Sequence, residues 1–148
     1  MADAERLAYW QAAFAASDPA LLVLVLEDRS GILGFVAGRM PCEDGYDACI
    51  DNLHLQPQLR GGGLGRRLLG AAAEAFRIRG AGNLFLWLFD GNTAAARFYA
   101  RLGGVVTDRG FDDFAGVRAP HTRVVFANLS NLTTACREPA GTPGRQGG

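Results

Sequence analysis

The chain has 148 residues, 49% of them hydrophobic, with 15 basic and 15 acidic side chains. That length suits one domain able to bury a genuine core. Zero formal net charge supplies no basic surface for a polyanion, which sets nucleic acid aside as a partner.

Residues 2–16 place Leu7, Trp10, Ala13 and Phe14 near helical spacing after Asp3, Glu5 and Arg6. They predict an amphipathic helix closed by Ser17-Asp18-Pro19. Residues 20–26 are apolar and β-rich, 27–31 read as a turn, and 32–39 return as the hairpin partner. A polar loop over 41–46 leads to a third strand over 47–55, ended by Gln56-Pro57. Arg60-Gly61-Gly62-Gly63-Leu64-Gly65-Arg66-Arg67 follows, and then Leu68, Leu69, Ala72, Ala75 and Phe76 at helical spacing. Gly80-Ala81-Gly82 breaks that helix. Residues 83–89 run almost wholly apolar, as a strand buried on both faces does. Residues 47–89 are therefore strand, helix, strand, which predicts parallel neighbours joined by a right-handed crossover.

Asn92 can cap the next helix and Gly103 can end it. Residues 105–106 and 121–127 read as closing strands, with a long loop over 108–120 between them. From Asn128 the composition turns to Asn, Ser, Thr, Pro and Gly. The expected organisation is one domain over 1–128 and a disordered tail over 129–148. Cys42, Cys49 and Cys136 form no C-x-x-C pair and leave one over, which fits free thiols in a reducing compartment. The start lacks a signal-peptide pattern, and the apolar run 20–26 is too short to span a bilayer. The expectation is a cytoplasmic protein without membrane contact.

A strand, a glycine-rich turn and a helix in that order make a phosphate cradle. The helix's first N–H groups lack intrahelical partners and carry the positive end of its dipole, and Arg60, Arg66 and Arg67 add full charges. A connector without function is the bland alternative. No lysine follows the glycines, which excludes a nucleoside-triphosphate loop. Leu68 stands where a dinucleotide fingerprint wants Gly or Ala. The stretch resembles the acyl-CoA signature of the GNAT superfamily of N-acetyltransferases, Arg/Gln-x-x-Gly-x-Gly/Ala, through Arg60, Gly63 and Gly65. A second motif, from Asn92 to Gly103, is similar to that family's Asn-x-x-Ala-x-x-Phe-Tyr-x-x-Leu-Gly helix. Gly104 departs from it, since the family usually has an aromatic residue there.

The resemblance implies an α/β (α+β) fold, a mixed, mostly antiparallel sheet with helices on both faces. It implies acetyl-CoA as cosubstrate, an amine as acceptor and no metal. Arg60, Gly61, Gly62, Gly63, Leu64, Gly65 and Arg66 would hold the CoA pyrophosphate, and the backbone of Leu53 and Leu55 would pair with pantetheine. Asn92 would contact pantetheine or serve only as a cap. Tyr99 would protonate the leaving thiolate, or simply pack its helix on the sheet. Asp51 is the candidate general base, with His54 the other ionisable group on that strand. Glu43, Asp44, Asp47, Asp108, Asp112 and Asp113, with Phe111, Phe114 and Trp10, are candidates for drawing in the acceptor. The family's opening strand and helix are missing before residue 2, which suggests a homodimer covering the exposed edge or a non-catalytic module that only binds acyl-CoA.

Overall fold

The computed structural model describes residues 6–9, 20–42, 45–89, 91–114 and 117–137. One sheet runs in the order β1-β2-β3-β4-β5-β7-β6. Its strands are β1 (Arg6–Tyr9), β2 (Leu21–Asp28), β3 (Gly31–Arg39), β4 (Ala48–Leu55), β5 (Leu84–Phe89), β6 (Val105–Phe114) and β7 (Val117–Phe126). The helices are α1 (Leu64–Ile78), α2 (Thr93–Arg101) and α3 (Leu129–Arg137). Every strand pairing is antiparallel except β4 with β5, as the strand–helix–strand reading requires.

Strand periodicity sorts the apolar residues between the two faces. Leu22, Leu24 and Leu26 of β2 join Val36, Ile50, Leu84 and Leu86 in one core with Leu68, Leu69 and Phe76 of α1. Tyr99 of α2 and Leu129 and Leu132 of α3 belong to that same core, so the three described helices share one face. On the other face Cys49, Phe85 and Val125 form a smaller cluster with Cys42 and Tyr46.

Four expectations need correction. Arg6–Tyr9 is a strand beside β2, not part of a helix over 2–16; the rest of that segment, with Trp10, lies outside the described residues. Pairing with β2 gives the backbone its hydrogen bonds, and that gain outweighs a weak local helical pattern.

The loop over 108–120 is a hairpin, with Phe111 opposite Pro120 and Asp113 opposite Arg118. An edge strand such as β6 needs no apolar run, so its Asp- and Gly-rich sequence hid it. Pro120 is tolerated because β7 pairs with β5 only from His121 onwards.

The tail begins with α3 rather than with disorder. Asn128 Oδ1 accepts from Asn131 N at 3.0 Å, a helix cap, and Leu129, Leu132 and Cys136 repeat on the buried side. Residues 138–148 lie outside the described part.

Cys42 and Cys49 are joined in a disulfide, with Cα atoms 6.0 Å apart, leaving buried Cys136 as the free thiol. The case for a reducing compartment built on free thiols loses its premise. No described helix is long and apolar enough to cross a membrane.

Gly104 has a packing reason. A Cβ there would lie 2.7 Å from Val124 Cγ1 and 3.0 Å from both Phe126 Cζ and the Tyr99 carbonyl oxygen. Gly104→Ala is expected to destabilise the protein by about 1–3 kcal/mol through overpacking, measured by urea unfolding. An unchanged midpoint would show that β7 yields freely.

Candidate active site

Between Ala37 and Gly38, β3 and β4 change register: Ala37 pairs with Asn52 but Gly38 pairs with Ile50, so Asp51 is a bulged residue. A bulge bends its strand and re-aims side chains. On its other side β4 pairs with β5 only through Ala48–Leu84, Cys49–Phe85 and Ile50–Leu86. Both strands continue, β4 to Leu55 and β5 to Phe89, but their described pairing stops. A gap opens there, flanked by the backbone of Leu53 and Leu55, which on the other side pair with Val36 and Gly34.

At the exit of β4, Gln56 N donates to Leu33 O at 3.0 Å and Gln56 Nε2 to Ile32 O at 2.6 Å. A single 3-10 turn over Pro57–Leu59 follows. Gly61 and Gly63 both sit at φ +89°, a conformation that strains any residue with a Cβ. The first α1 turn bonds Arg67 N to Gly63 O at 3.1 Å, leaving the N–H groups of Leu64, Gly65 and Arg66 without acceptors in the helix. No side chain caps this end and no acidic residue stands in its first turn. Anions are favoured here, with Arg60 exposed and Arg66 half-buried alongside.

Gly65 links the cradle to α2, since a Cβ on it would touch Phe98 Cζ at 3.6 Å. In α2, Asn92 Oδ1 accepts from Ala95 N at 3.2 Å, so the capping role of Asn92 is real. Tyr99, the next residue after Phe98, is the buried residue of this helix. Its ring meets Phe98 at 5.1 Å and Phe126 at 6.3 Å between centroids. Burial pushes its phenol up to about 12, so it keeps its proton at any physiological pH.

Asp51 is exposed, and its Oδ2 accepts from Arg39 Nε at 3.0 Å. His54 stacks near Phe35, 5.7 Å between centroids.

The acceptor candidates are scattered by the fold. Asp47 is structural: Gly82 N donates to its carboxylate at 2.7 Å, and its own N–H donates to Asn83 Oδ1 at 2.8 Å. Asp108 lies 3.3 Å from Arg123 Nε. Phe111, Asp112, Asp113 and Phe114 fall in the β6–β7 hairpin, while Glu43 and Asp44 lie outside the described residues.

Two features were missed. The strand over 83–89 is not covered on both faces: Trp87 and Phe89 are 37% and 47% exposed. They flank His121, with centroids at 4.3 and 6.2 Å, while Arg123 stacks on Phe85 and Trp87 at 4.6 Å each and on Tyr46 at 5.2 Å. Alternation of Phe85, Trp87 and Phe89 was the available signal. The other feature is a cavity of about 510 Å³ between α1 and α3, continuous with Gly62 and Gly63.

Residues 2–104 match the family model described as the acetyltransferase (GNAT) family. The chain belongs to this family. A curated GNAT relative, mycothiol acetyltransferase of Rhodococcus erythropolis (strain PR4 / NBRC 100887), is 35% identical over 107 residues, 69% of this chain and 35% of the relative. The chain thus spans about a third of that relative's length. Among solved structures, nourseothricin acetyltransferase is similar at 28% identity and TM-score 0.63, covering 74% of this chain and 66% of that one. The yncA structure from Salmonella typhimurium, a putative acetyltransferase with its cofactor acetyl-CoA, shares the fold at 22% identity and TM-score 0.63, covering 81% and 70%.

The buried phenol makes a pH test. Its folded pKa of about 12 lies above the ordinary phenol value of 10.0, so its stabilising contribution is complete below about pH 10 and is lost as pH rises towards 12. That difference is worth about 3 kcal/mol at most. Tyr99→Phe is expected to flatten the stability loss between pH 10 and 12 in denaturant titrations; an identical loss in parent and variant would place the phenol in water. Burial likewise holds the Cys136 thiol at about 11, against an opposing pull from Arg66. Iodoacetamide at pH 8 is expected to leave Cys136 unmodified in the folded protein and to label it after unfolding, read by mass spectrometry. Rapid labelling of native protein would contradict its burial.

Proposed function

We propose that the chain is an acetyl-CoA-dependent N-acetyltransferase working by direct transfer in a ternary complex. The observation that carries this reading is the gap beyond Ile50 and Leu86 opening beside the uncapped end of α1. An elongated ligand with a pyrophosphate can rest its anion on the amides of Leu64, Gly65 and Arg66, assisted by Arg60. Its pantetheine amides then extend along β4 as a pseudo-strand, bonding to the backbone at Leu53 and Leu55. Gly61, Gly62 and Gly63 let the backbone approach the phosphates.

The acceptor amine enters as the free base. Its nitrogen attacks the thioester carbonyl carbon, a C–N bond forms and the C–S bond breaks. The departing thiolate takes the proton of Tyr99 Oη, which burial holds in the neutral form. The proton shed by the nitrogen goes, through water, to Asp51, the carboxylate of the residue that follows the last β4–β5 pair. Arg39 holds that carboxylate in place, though an exposed pair of this kind adds little stability. Trp87, Phe89 and His121 offer an aromatic wall to an acceptor arriving on the face opposite α1.

The same Arg39–Asp51 pair favours a second reading, an acyl-CoA-binding module without turnover, if it leaves no base for the amine. The sheet ends in β1 on one side and in β6, which exposes Val105 and Val106, on the other, and we include in the proposal a homodimer covering the β1 edge.

Calorimetry with acetyl-CoA is expected to show micromolar binding that is lost in Arg60→Ala plus Gly63→Val. A screen of amines should then yield turnover that falls about 100-fold or more in Tyr99→Phe with affinity for acetyl-CoA kept. Binding without turnover for any amine would select the module; turnover undiminished in Tyr99→Phe would remove that residue from the mechanism.

A further inference from the structure

Helix α3 lies beyond the residues matched to the family, yet it forms a wall of the cavity that begins at the cradle. The cavity runs from Gly62 and Gly63, past Arg66 and Glu74, to Arg137 in the last turn of α3. The packing that fixes this wall is close. A Cβ on Gly70 would lie 2.7 Å from Cys136 Cβ, so only glycine lets the two helices approach this far. Leu129 and Leu132 are about 1% exposed, and Leu129 N donates to Gly82 O at 3.0 Å. The end of α3 is thereby held against α1 at Gly70, one turn or about 6 Å along the helix from Arg66.

The charges lining this cavity are unbalanced. Arg66 and Arg137 line it with one carboxylate, Glu74. Both oxygens of Glu74 are engaged by Arg77, at 3.0 and 2.7 Å. Arg137 reaches Glu74 only at 4.0 Å, with a side chain 70% exposed, a contact of little energy. Its guanidinium can therefore turn to an anion at small cost. The cavity is continuous with the cradle, so the anion that suits it is a second phosphate on the same ligand.

We propose that α3 is a phosphate-reading element: Arg137, with Arg66 across the cavity, binds the 3′-phosphate of the CoA ribose while the cradle amides hold the pyrophosphate. This rests on the acetyl-CoA reading of the cradle. It makes Arg137 a residue that distinguishes CoA from its 3′-dephospho form, and it gives α3 a role in binding the cosubstrate as well as in covering α1.

The test is calorimetric titration of CoA and 3′-dephospho-CoA into parent, Arg137→Gln and Arg60→Ala. The parent is expected to favour CoA by about tenfold, the scale of one hydrogen bond to a charged group. Arg137→Gln should erase that preference by weakening CoA alone, with an unchanged melting temperature. Arg60→Ala should weaken both ligands and keep the preference. Equal affinities in the parent, or equal weakening of both ligands by Arg137→Gln, would overturn the role of α3 while leaving the cradle intact. Failure of the parent to bind either ligand would overturn the cradle reading and this proposal with it.

Discussion

The structure depends on a parallel ladder that stops after three residue pairs. β5 stays with β7 along its whole length from Leu84 to Phe89. β4 stays with β3 as far as Leu55, and the Asp51 bulge bends it on the way. The two strands part, and the backbone facing the gap carries polar groups that need partners. The same topology places α1. A right-handed crossover between parallel neighbours starts where the first strand ends, so the N-terminus of α1 is delivered to the mouth of the gap. Strand divergence and helix dipole thus converge on one place through connectivity alone.

Packing holds that arrangement at few points. Phe98 against Gly65 ties α2 to the first turn of α1, and Tyr99 beside it is seated against Phe126. The burial that seats Tyr99 in the core also keeps its phenol protonated, the form the proposed transfer requires. A structural and a catalytic reading of Tyr99 are therefore compatible. The charged groups on the opposite face are different. Arg39 holds Asp51, and Arg123 lies over three aromatic rings with Asp108 at its edge. Trp87 and Phe89 remain partly open beside them, an apolar surface next to ordered charges.

What the sequence revealed followed the strength of local signals. The cradle, its helix and the flanking strands were legible because Leu68, Leu69, Ala72 and Phe76 keep one period and the glycines punctuate it. The caps at Asn92 and Gly103 were legible for the same reason. β1 was hidden because four residues carry too little periodicity to outweigh a longer helical pattern around them. The β6–β7 hairpin was hidden because backbone pairing, not side-chain hydrophobicity, holds it. α3 was overlooked although Asn128, Leu129, Leu132 and Cys136 spell a capped amphipathic turn, since polar composition drew the eye first. The disulfide joins Cys42 to Cys49 on β4, a pairing that spacing alone does not encode. The second wall of the cradle cavity was missed with α3 itself.

The central claim is that one ligand spans the end of α1 and the gap between β4 and β5. It is tested most directly by amide chemical shifts of nitrogen-15-labelled protein during titration with acetyl-CoA. Large, saturable shifts are expected at Leu64, Gly65 and Arg66 together with Leu53 and Leu55, and small ones at the far end of α1 near Arg77 and Arg79. Shifts at the α1 amides without any along β4, or none at either place, would contradict it.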